Sequence, residues 1–337
     1  MNPPLISVII PSSNRPQSLL RALAGLERQE GVGEPFEVVL VLDGDRAGSA
    51  ELVAGAATEL PITIIQIPHS GVAGARNRGW RAARASIILF LDDDVVPGPG
   101  LLAAHLAAHS RHPDAVVLGH VDCPTGPAPA PWVAYDNSMR AKKYAELAAE
   151  VSPQGIHYGG NFSIPKRWLL AAGDERPQVA DADVSLGYRL RALGVRFVYE
   201  PRARGIHESQ AHLSSWRQRQ VSRGRLSVAR HSNGSYPGGL PGLLASFWTR
   251  HPANRAMVRV GLLGGRLERR LTSLLIAIGC ATARLGPVSL AAFSMAANLI
   301  YWSGVRDGMR GNAAFWRGVR AARPAEVRAI DGGRLLH

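Results

Sequence analysis

Three carboxylates in a row, Asp92, Asp93 and Asp94, follow the apolar run "SIILFL" and precede the Pro/Gly-rich turn "VVPGPG". Adjacent anions repel one another and gain nothing from packing, so their place at the end of a buried strand calls for a positive partner. If the strand persists that far, alternation puts Asp92 and Asp94 on one side and Asp93 on the other. Two carboxylates on one side of a loop mouth can hold a hard cation, Mg2+ or Mn2+, through oxygen. Such a cation can bridge to a diphosphate and neutralise its charge as it leaves, which is Lewis-acid catalysis. A solvated acidic turn that caps the next helix would show the same residues, so the cluster alone does not decide.

The elements that position this cluster are legible as alternating patterns. Apolar runs at 6–11, 36–43, 62–68 and 86–94 read as strands. Between them lie helical patterns, one with Leu19, Leu23 and Leu26 at helical spacing and one over 71–85 with a Gly-rich start. Strands alternating with helices give a largely parallel sheet flanked by helices, whose ligands bind beyond the carboxyl ends of the strands. Asp43 and the acidic triplet both fall at such ends. Residues 120–158, interrupted by Pro and Gly, read as a connecting segment. A helix is expected over 183–193, ended by Gly194 and followed by a short strand.

With 337 residues, 46% of them hydrophobic, the chain can bury two cores. The expected division is 1–225, split into halves at residue 118, and an Arg-rich, apolar helical region over 226–337. Cys123 and Cys280 follow no metal or redox spacing, which favours a reducing compartment. The strand-like run "LISVII" near the start leaves no room for a signal peptide, so the cytoplasm is expected. The net charge is +13, and residues 201–270 hold thirteen arginines against two acids, Glu208 and Glu268. Such a belt suits nucleic acid, an anionic membrane or a phosphorylated substrate. Few aromatics are interleaved with it (Trp216, Tyr236, Phe247 and Trp248), so nucleic acid is not the expected partner.

Six stretches, "SVIIPSSNR", "EVVLVLDGD", "GVAGARNRG", "ILFLDDDVVP", "GGNFSIPK" and "DADVSLGYRLRALGVRFVYEP", occur in an order and spacing that resembles the family 2 glycosyltransferases. The resemblance covers residues 5–225. It implies the α/β GT-A fold, a Rossmann-like, mostly parallel sheet flanked by helices, here with a helical, apolar C-terminal extension. It also implies sugar transfer with inversion from a nucleotide-diphosphate sugar, UDP-, GDP- or dTDP-linked, with Mn2+ or Mg2+. Carried over residue by residue, Pro11, Asn14, Arg15, Asp43, Arg76, Asn77, Asp92 and Asp93 match positions around the nucleotide-sugar, with Asp43 toward the base. Gly159, Gly160 and Asn161 match the segment near the sugar. Asp94, Asp92 and His207 match the metal site, with Asp94 the direct ligand and His212 the fallback for His207.

The same resemblance points to the base. The family pattern is Glu-Asp, then Leu and Arg on one helix; counting back from Arg189 and Leu190 places the Asp at Asp183. The preceding Glu is Ala182 here, and Asp181 either replaces it in part or caps the helix. This departure keeps open a non-catalytic nucleotide-sugar binder. The Gln-x-x-Arg-Trp signature of processive synthases is absent from "SSWRQRQVSRGR", which favours a non-processive enzyme acting on an envelope or lipid-linked glycan.

Two apolar stretches close the chain, 271–283 and 286–302, thirteen and seventeen residues long, with Arg284 and Leu285 between them. Neither comfortably reaches the ~20 residues of a membrane-spanning helix. They are expected to form a hairpin that packs on the protein, dips into the inner leaflet of the cell membrane, or joins two copies as a homodimer.

Overall fold

The computed structural model describes residues 3–33, 35–56, 58–122, 129–149, 160–173, 182–207, 212–232 and 238–322, the side chains of 182–185 excepted. The chain forms two compact units, 1–124 with 143–209, and 125–142 with 210–337. The first holds the strands β1 (Ile6–Ser12), β2 (Phe36–Asp43), β3 (Ile62–Ile67), β4 (Ile87–Leu91), β5 (Val95–Pro97), β6 (Val116–Asp122), β7 (Asn161–Pro165) and β8 (Phe197–His207). They make one sheet in the order β3-β2-β1-β4-β7-β6-β8-β5. The first four are parallel, as the alternating pattern requires. β7 is antiparallel to both neighbours, because the chain leaves β6 and enters β7 at the same edge.

Helices α1 (Pro16–Glu27), α2 (Ser49–Gly55), α3 (Gly71–Ala82), α4 (Leu101–Arg111), α5 (Pro131–Ala148), α6 (Lys166–Ala172) and α7 (Ala182–Ala192) follow in chain order. Leu19, Leu23 and Leu26 of α1, with Leu101 and Leu102 of α4, cover one face of the sheet. Ala75 and Trp80 of α3, Leu169 of α6, and Leu186 and Leu190 of α7 cover the other. Both faces are dry, which is why β1, β2 and β4 read as unbroken apolar runs.

Three local expectations change. β4 stops at Leu91 and the triplet 92–94 forms a turn before β5, so strand alternation does not govern the three carboxylates. The segment 120–158 is not merely a connection: it contains the end of β6 and the eighteen-residue α5. Pro131 is compatible with a first helical position, and the Ala, Lys, Glu and Leu that follow are helix formers. The short strand after Gly194 is the eleven-residue β8, which continues past Pro201 through a bulge. Proline has no N–H for the ladder, so pairing resumes at His120 with Arg204.

The second unit is helical, with α8 (Leu213–Ser232), α9 (Gly239–Ala245), α10 (Pro252–Gly261), α11 (Gly265–Ala281), α12 (Gly286–Gly308) and α13 (Asn312–Ala321). α11 and α12 form the expected hairpin: Ser289 Oγ donates to Gly279 O at 2.7 Å. By length and composition the 23-residue α12 could cross a membrane. Here it is the unit's core helix, burying Phe293, Leu299, Trp302 and Val305 against α8, α10, α11 and α13.

α3 reaches the sheet through Gly79, where a Cβ would lie 2.3 Å from Ile9 Cγ2. Gly79→Ala should therefore cost about 1–3 kcal/mol of stability through overpacking. A lowered urea midpoint at unchanged m would show it.

Candidate active site

β1, β2, β4 and β6 end at one edge of the sheet, and the polar side chains gather there. Asp43, buried at the end of β2, accepts from the N–H groups of Ser70 and Gly71 at 2.5 and 2.9 Å and from Ser70 Oγ at 3.1 Å. It thereby caps α3, whose own N-cap side chain makes no capping bond. His69 Nδ1 lies 3.1 Å from Asp43 Oδ2, the oxygen that accepts from Gly71. Gly44, at φ 60°, lets the chain turn there, since a Cβ would meet His69 Cβ at 2.7 Å.

The acidic turn sends its three carboxylates to three partners. Asp92 pairs with Arg76 at 3.0 Å. The Arg76 guanidinium is itself buried and lies over the rings of Phe90 and Phe162, 5.6 and 5.7 Å from their centroids. Asp93 turns inward and accepts from Ser12 Oγ at 2.6 Å. Burial above all, then the charges of Asp94 and Asp92, push its carboxyl up to about 6 against the opposing Ser12 and Arg15. Asp94 faces Arg15 at 2.9 Å and His207 Nε2 at 3.5 Å. His207 Nδ1 is buried without a hydrogen-bond partner among the described residues.

The backbone of β7 closes against this turn. Asp92 N–H donates to Gly160 O at 2.9 Å, and a Cβ on Gly160, whose φ is 64°, would lie 2.2 Å from Asp92 Oδ2. Asn161 is fully buried with its amide engaged: Nδ2 donates to His120 O and Ala203 O at 3.2 and 2.8 Å, and Oδ1 faces His105 Nε2 at 2.9 Å. Asn77 is buried on α3. Pro11 lies inside β1, level with Val41. Asn14, at φ 56°, joins the β1 loop to the β2 loop: its N–H donates to Asp45 Oδ1 and its Oδ1 accepts from Arg46 N–H, at 3.1 and 2.8 Å.

The fold thus brings together Arg15, Arg76, Asp92, Asp93, Asp94, Gly160 and His207. Gly159 and Asp181 lie outside the described residues, as does the side chain of Asp183. The backbone of Asp183 is in the first turn of α7. The chain beyond α7 reaches the opposite edge, where Arg196 O accepts from Val116 N–H at the start of β6, so that first turn points toward the edge of the acidic triplet. His207 is the imidazole that lies beside Asp94.

Sequence reading missed a second polar group at this edge. His120 Nε2 lies 3.0 Å from Asp122 Oδ1, and its Nδ1 lies 2.5 Å from Tyr199 OH. Burial, then Tyr144, push the Tyr199 phenol up to about 12. Tyr144 stacks on Tyr199 with centroids 5.5 Å apart. The only sequence signal was a His and an Asp at alternate positions of one strand, "GHVD", whose aromatic partners come from α5 and β8.

Residues 7–168, just under half of the chain, match the model of Glycosyl transferase family 2. Validoxylamine A glucosyltransferases of Streptomyces hygroscopicus subspecies limoneus and jinggangensis are each 32% identical over 249 residues. The alignments cover 63% of this chain and 54% and 58% of theirs, so the chain spans little more than half the length of these relatives. A mannosyltransferase of Pyrobaculum calidifontis, solved in complex with GDP-Man and Mn2+, superposes with a TM-score of 0.58 at 17% identity. That likeness covers 90% of this chain and 88% of the other, and establishes the GT-A-type fold.

Under Asn161 lie two buried histidines, His105 and His109, both within 2.8 Å of Ser163 Oγ. Burial pushes both imidazoles down to about 4. The unfolded chain takes up these protons near 6.5 while the folded one refuses them. Stability is therefore complete above about pH 6.5 and falls as pH drops toward 4, by about 3 kcal/mol per imidazole. His109→Gln should flatten that decline in urea melts between pH 7 and about 4; superimposable pH profiles for the two proteins would contradict it.

Proposed function

We propose that the protein transfers a sugar from a nucleotide-diphosphate sugar to a hydroxyl of an envelope or lipid-linked glycan, with inversion, in a metal-dependent and non-processive reaction. The observation that carries this reading is the turn after β4. Three carboxylates, two guanidiniums and an imidazole meet there at the strand ends, where a doubly wound sheet binds its ligands. The family match and the names of the relatives support a nucleotide-sugar donor.

Among the described residues no three His, Cys, Asp or Glu side chains form a ready metal cage. The donor set nevertheless fits a hard or borderline cation bound jointly with a diphosphate: Asp94 and His207 present an oxygen and a nitrogen 3.5 Å apart. These two residues would hold Mn2+ or Mg2+, which supplies Lewis-acid neutralisation of the leaving diphosphate. Asp92, engaged by Arg76, supports the site by fixing the turn. Arg15 is more than half exposed and can exchange Asp94 for phosphate oxygens without a burial penalty. Asp183, at the start of α7, is the base in this reading. A carboxylate in a helix's first turn is held ionised and can accept the proton of the attacking acceptor hydroxyl.

A thermal-shift panel of UDP-, GDP- and dTDP-sugars with and without Mn2+ tests the reading, since a ligand of the folded state raises its melting temperature. Asp94→Asn should weaken the Mn2+ dependence by about tenfold or more without unfolding the protein. Donor binding and turnover that are equal in EDTA would remove the metal from the reaction. Asp183→Asn should abolish transfer at nearly unchanged donor affinity. An active Asp183→Asn beside a dead Asp181→Asn would move the base by two residues, and retention at the anomeric carbon would exclude direct displacement.

A further inference from the structure

Of the fourteen large apolar side chains exposed among the described residues, seven lie between residues 260 and 288. Six of them, all but Val260 on α10, belong to one feature of the second unit, the α11–α12 hairpin and the turn leading into it. Leu267, Leu274 and Ile278 stand at i, i+7 and i+11 on α11, within an arc of about 40°. Thr272, Leu275, Ile276 and Gly279 are buried on the opposite side. Leu263, 76% exposed, extends the stripe before α11, and Leu285 and Val288 extend it at the hairpin tip. Between residues 271 and 283 the exposed positions of α11 and its end carry no charge at all. A helix facing water normally presents charged residues there.

Charge frames this stripe instead of crossing it. Arg266, Arg269 and Arg270 sit in the first turns of α11 and Arg284 sits at the tip, all exposed. The one acid of α11, Glu268, is turned into the unit, accepting from Ser303 Oγ at 2.6 Å and Arg306 at 2.9 Å. The face is therefore apolar in its middle and positive at both ends. Beyond its first turn, α12, the longer apolar helix, is not part of it, because its large apolar side chains there are covered by protein.

We propose that this face of α11 and the hairpin tip docks on an anionic lipid surface, with Leu267, Leu274 and Ile278 at the acyl boundary and the four arginines among the headgroups. Apolar area and headgroup attraction are the two contributions that seat an interfacial helix. A second copy of the chain fits less well. A two-fold interface sets like against like and would crowd eight guanidiniums around an apolar strip with no acid to answer them.

Cys280 is exposed near the C-terminal end of α11, close to the hairpin tip, and offers a direct probe. The full chain carrying Cys123→Ser is labelled at Cys280 with an environment-sensitive fluorophore, then mixed with phosphatidylcholine vesicles containing increasing phosphatidylglycerol. The unlabelled protein is followed by co-sedimentation, so neither readout needs a donor or an acceptor. Emission should shift to the blue and the pelleted fraction should rise with phosphatidylglycerol, and salt should reverse both. The triple change Arg266→Gln, Arg269→Gln and Arg270→Gln should weaken binding about 100-fold, at roughly fivefold per charge. Leu274→Ser with Ile278→Ser should weaken it as well, with the melting temperature and the nucleotide-sugar thermal shift unchanged. The proposal falls if emission is unmoved by phosphatidylglycerol, or if both sets of changes leave binding intact. It also falls if the protein is a dimer that Leu274→Ser with Ile278→Ser disperses, which would give the face to a second copy.

Discussion

A guanidinium buried between two phenylalanine rings fixes the geometry of the candidate site. Arg76 has no water to turn to, and a charge left unpaired in that position would cost several kcal/mol. Asp92 is therefore held against it, and the turn after β4 is held with Asp92. Two glycines make this arrangement possible. Gly79 brings α3 close enough to the sheet for Arg76 to reach the turn, and Gly160 lets the start of β7 approach Asp92. The backbone bond from Asp92 N–H to Gly160 O then ties the parallel half of the sheet to the mixed half beside the carboxylates.

With Asp92 fixed, its two neighbours divide the remaining work. Asp93 anchors the turn from below through Ser12, in surroundings dry enough to raise its affinity for a proton. Asp94 stays at the mouth, shared between an exposed arginine and an imidazole. One run of three identical residues thus supplies a strut, an anchor and a carboxylate at the mouth, according to which way each points. The chain's arginines divide in a similar way. Arg76 is buried and holds the turn through Asp92, Arg15 reaches into the site from solvent, and the arginines of α11 form a surface feature of the second unit.

The strands β1, β2 and β3 were legible within a residue or so, and β4 at its start though not at its end, because β1, β2 and β4 are buried on both faces and apolar runs are their direct imprint. The family motifs likewise marked Asp43, Arg76 and the acidic triplet as belonging to one edge. Reading stopped being reliable where pairing is non-local. The antiparallel entry of β7, the bulge that carries β8 past Pro201, and the helix within 131–148 all depend on partners far away in sequence. The pair formed by His120 and Asp122 was visible only as two polar residues in a strand, because its aromatic partners arrive from other elements.

The sequence by itself determined the local chemistry: strand-ending carboxylates, Gly-rich approaches, a base candidate counted from Arg189 and Leu190, and an Arg-rich apolar tail. Tertiary structure alone decided which of those groups meet. It turned Asp93 inward and Asp92 toward Arg76, and it used the Asp43 carboxylate to cap α3. It also buried most of α12 while leaving α11 with an apolar stripe exposed between arginines. The reason is physical: periodicity records whether a residue faces an apolar or a polar environment. The identity of that environment, whether another helix, a guanidinium or solvent, depends on contacts between residues tens to hundreds of positions apart, which no local pattern encodes.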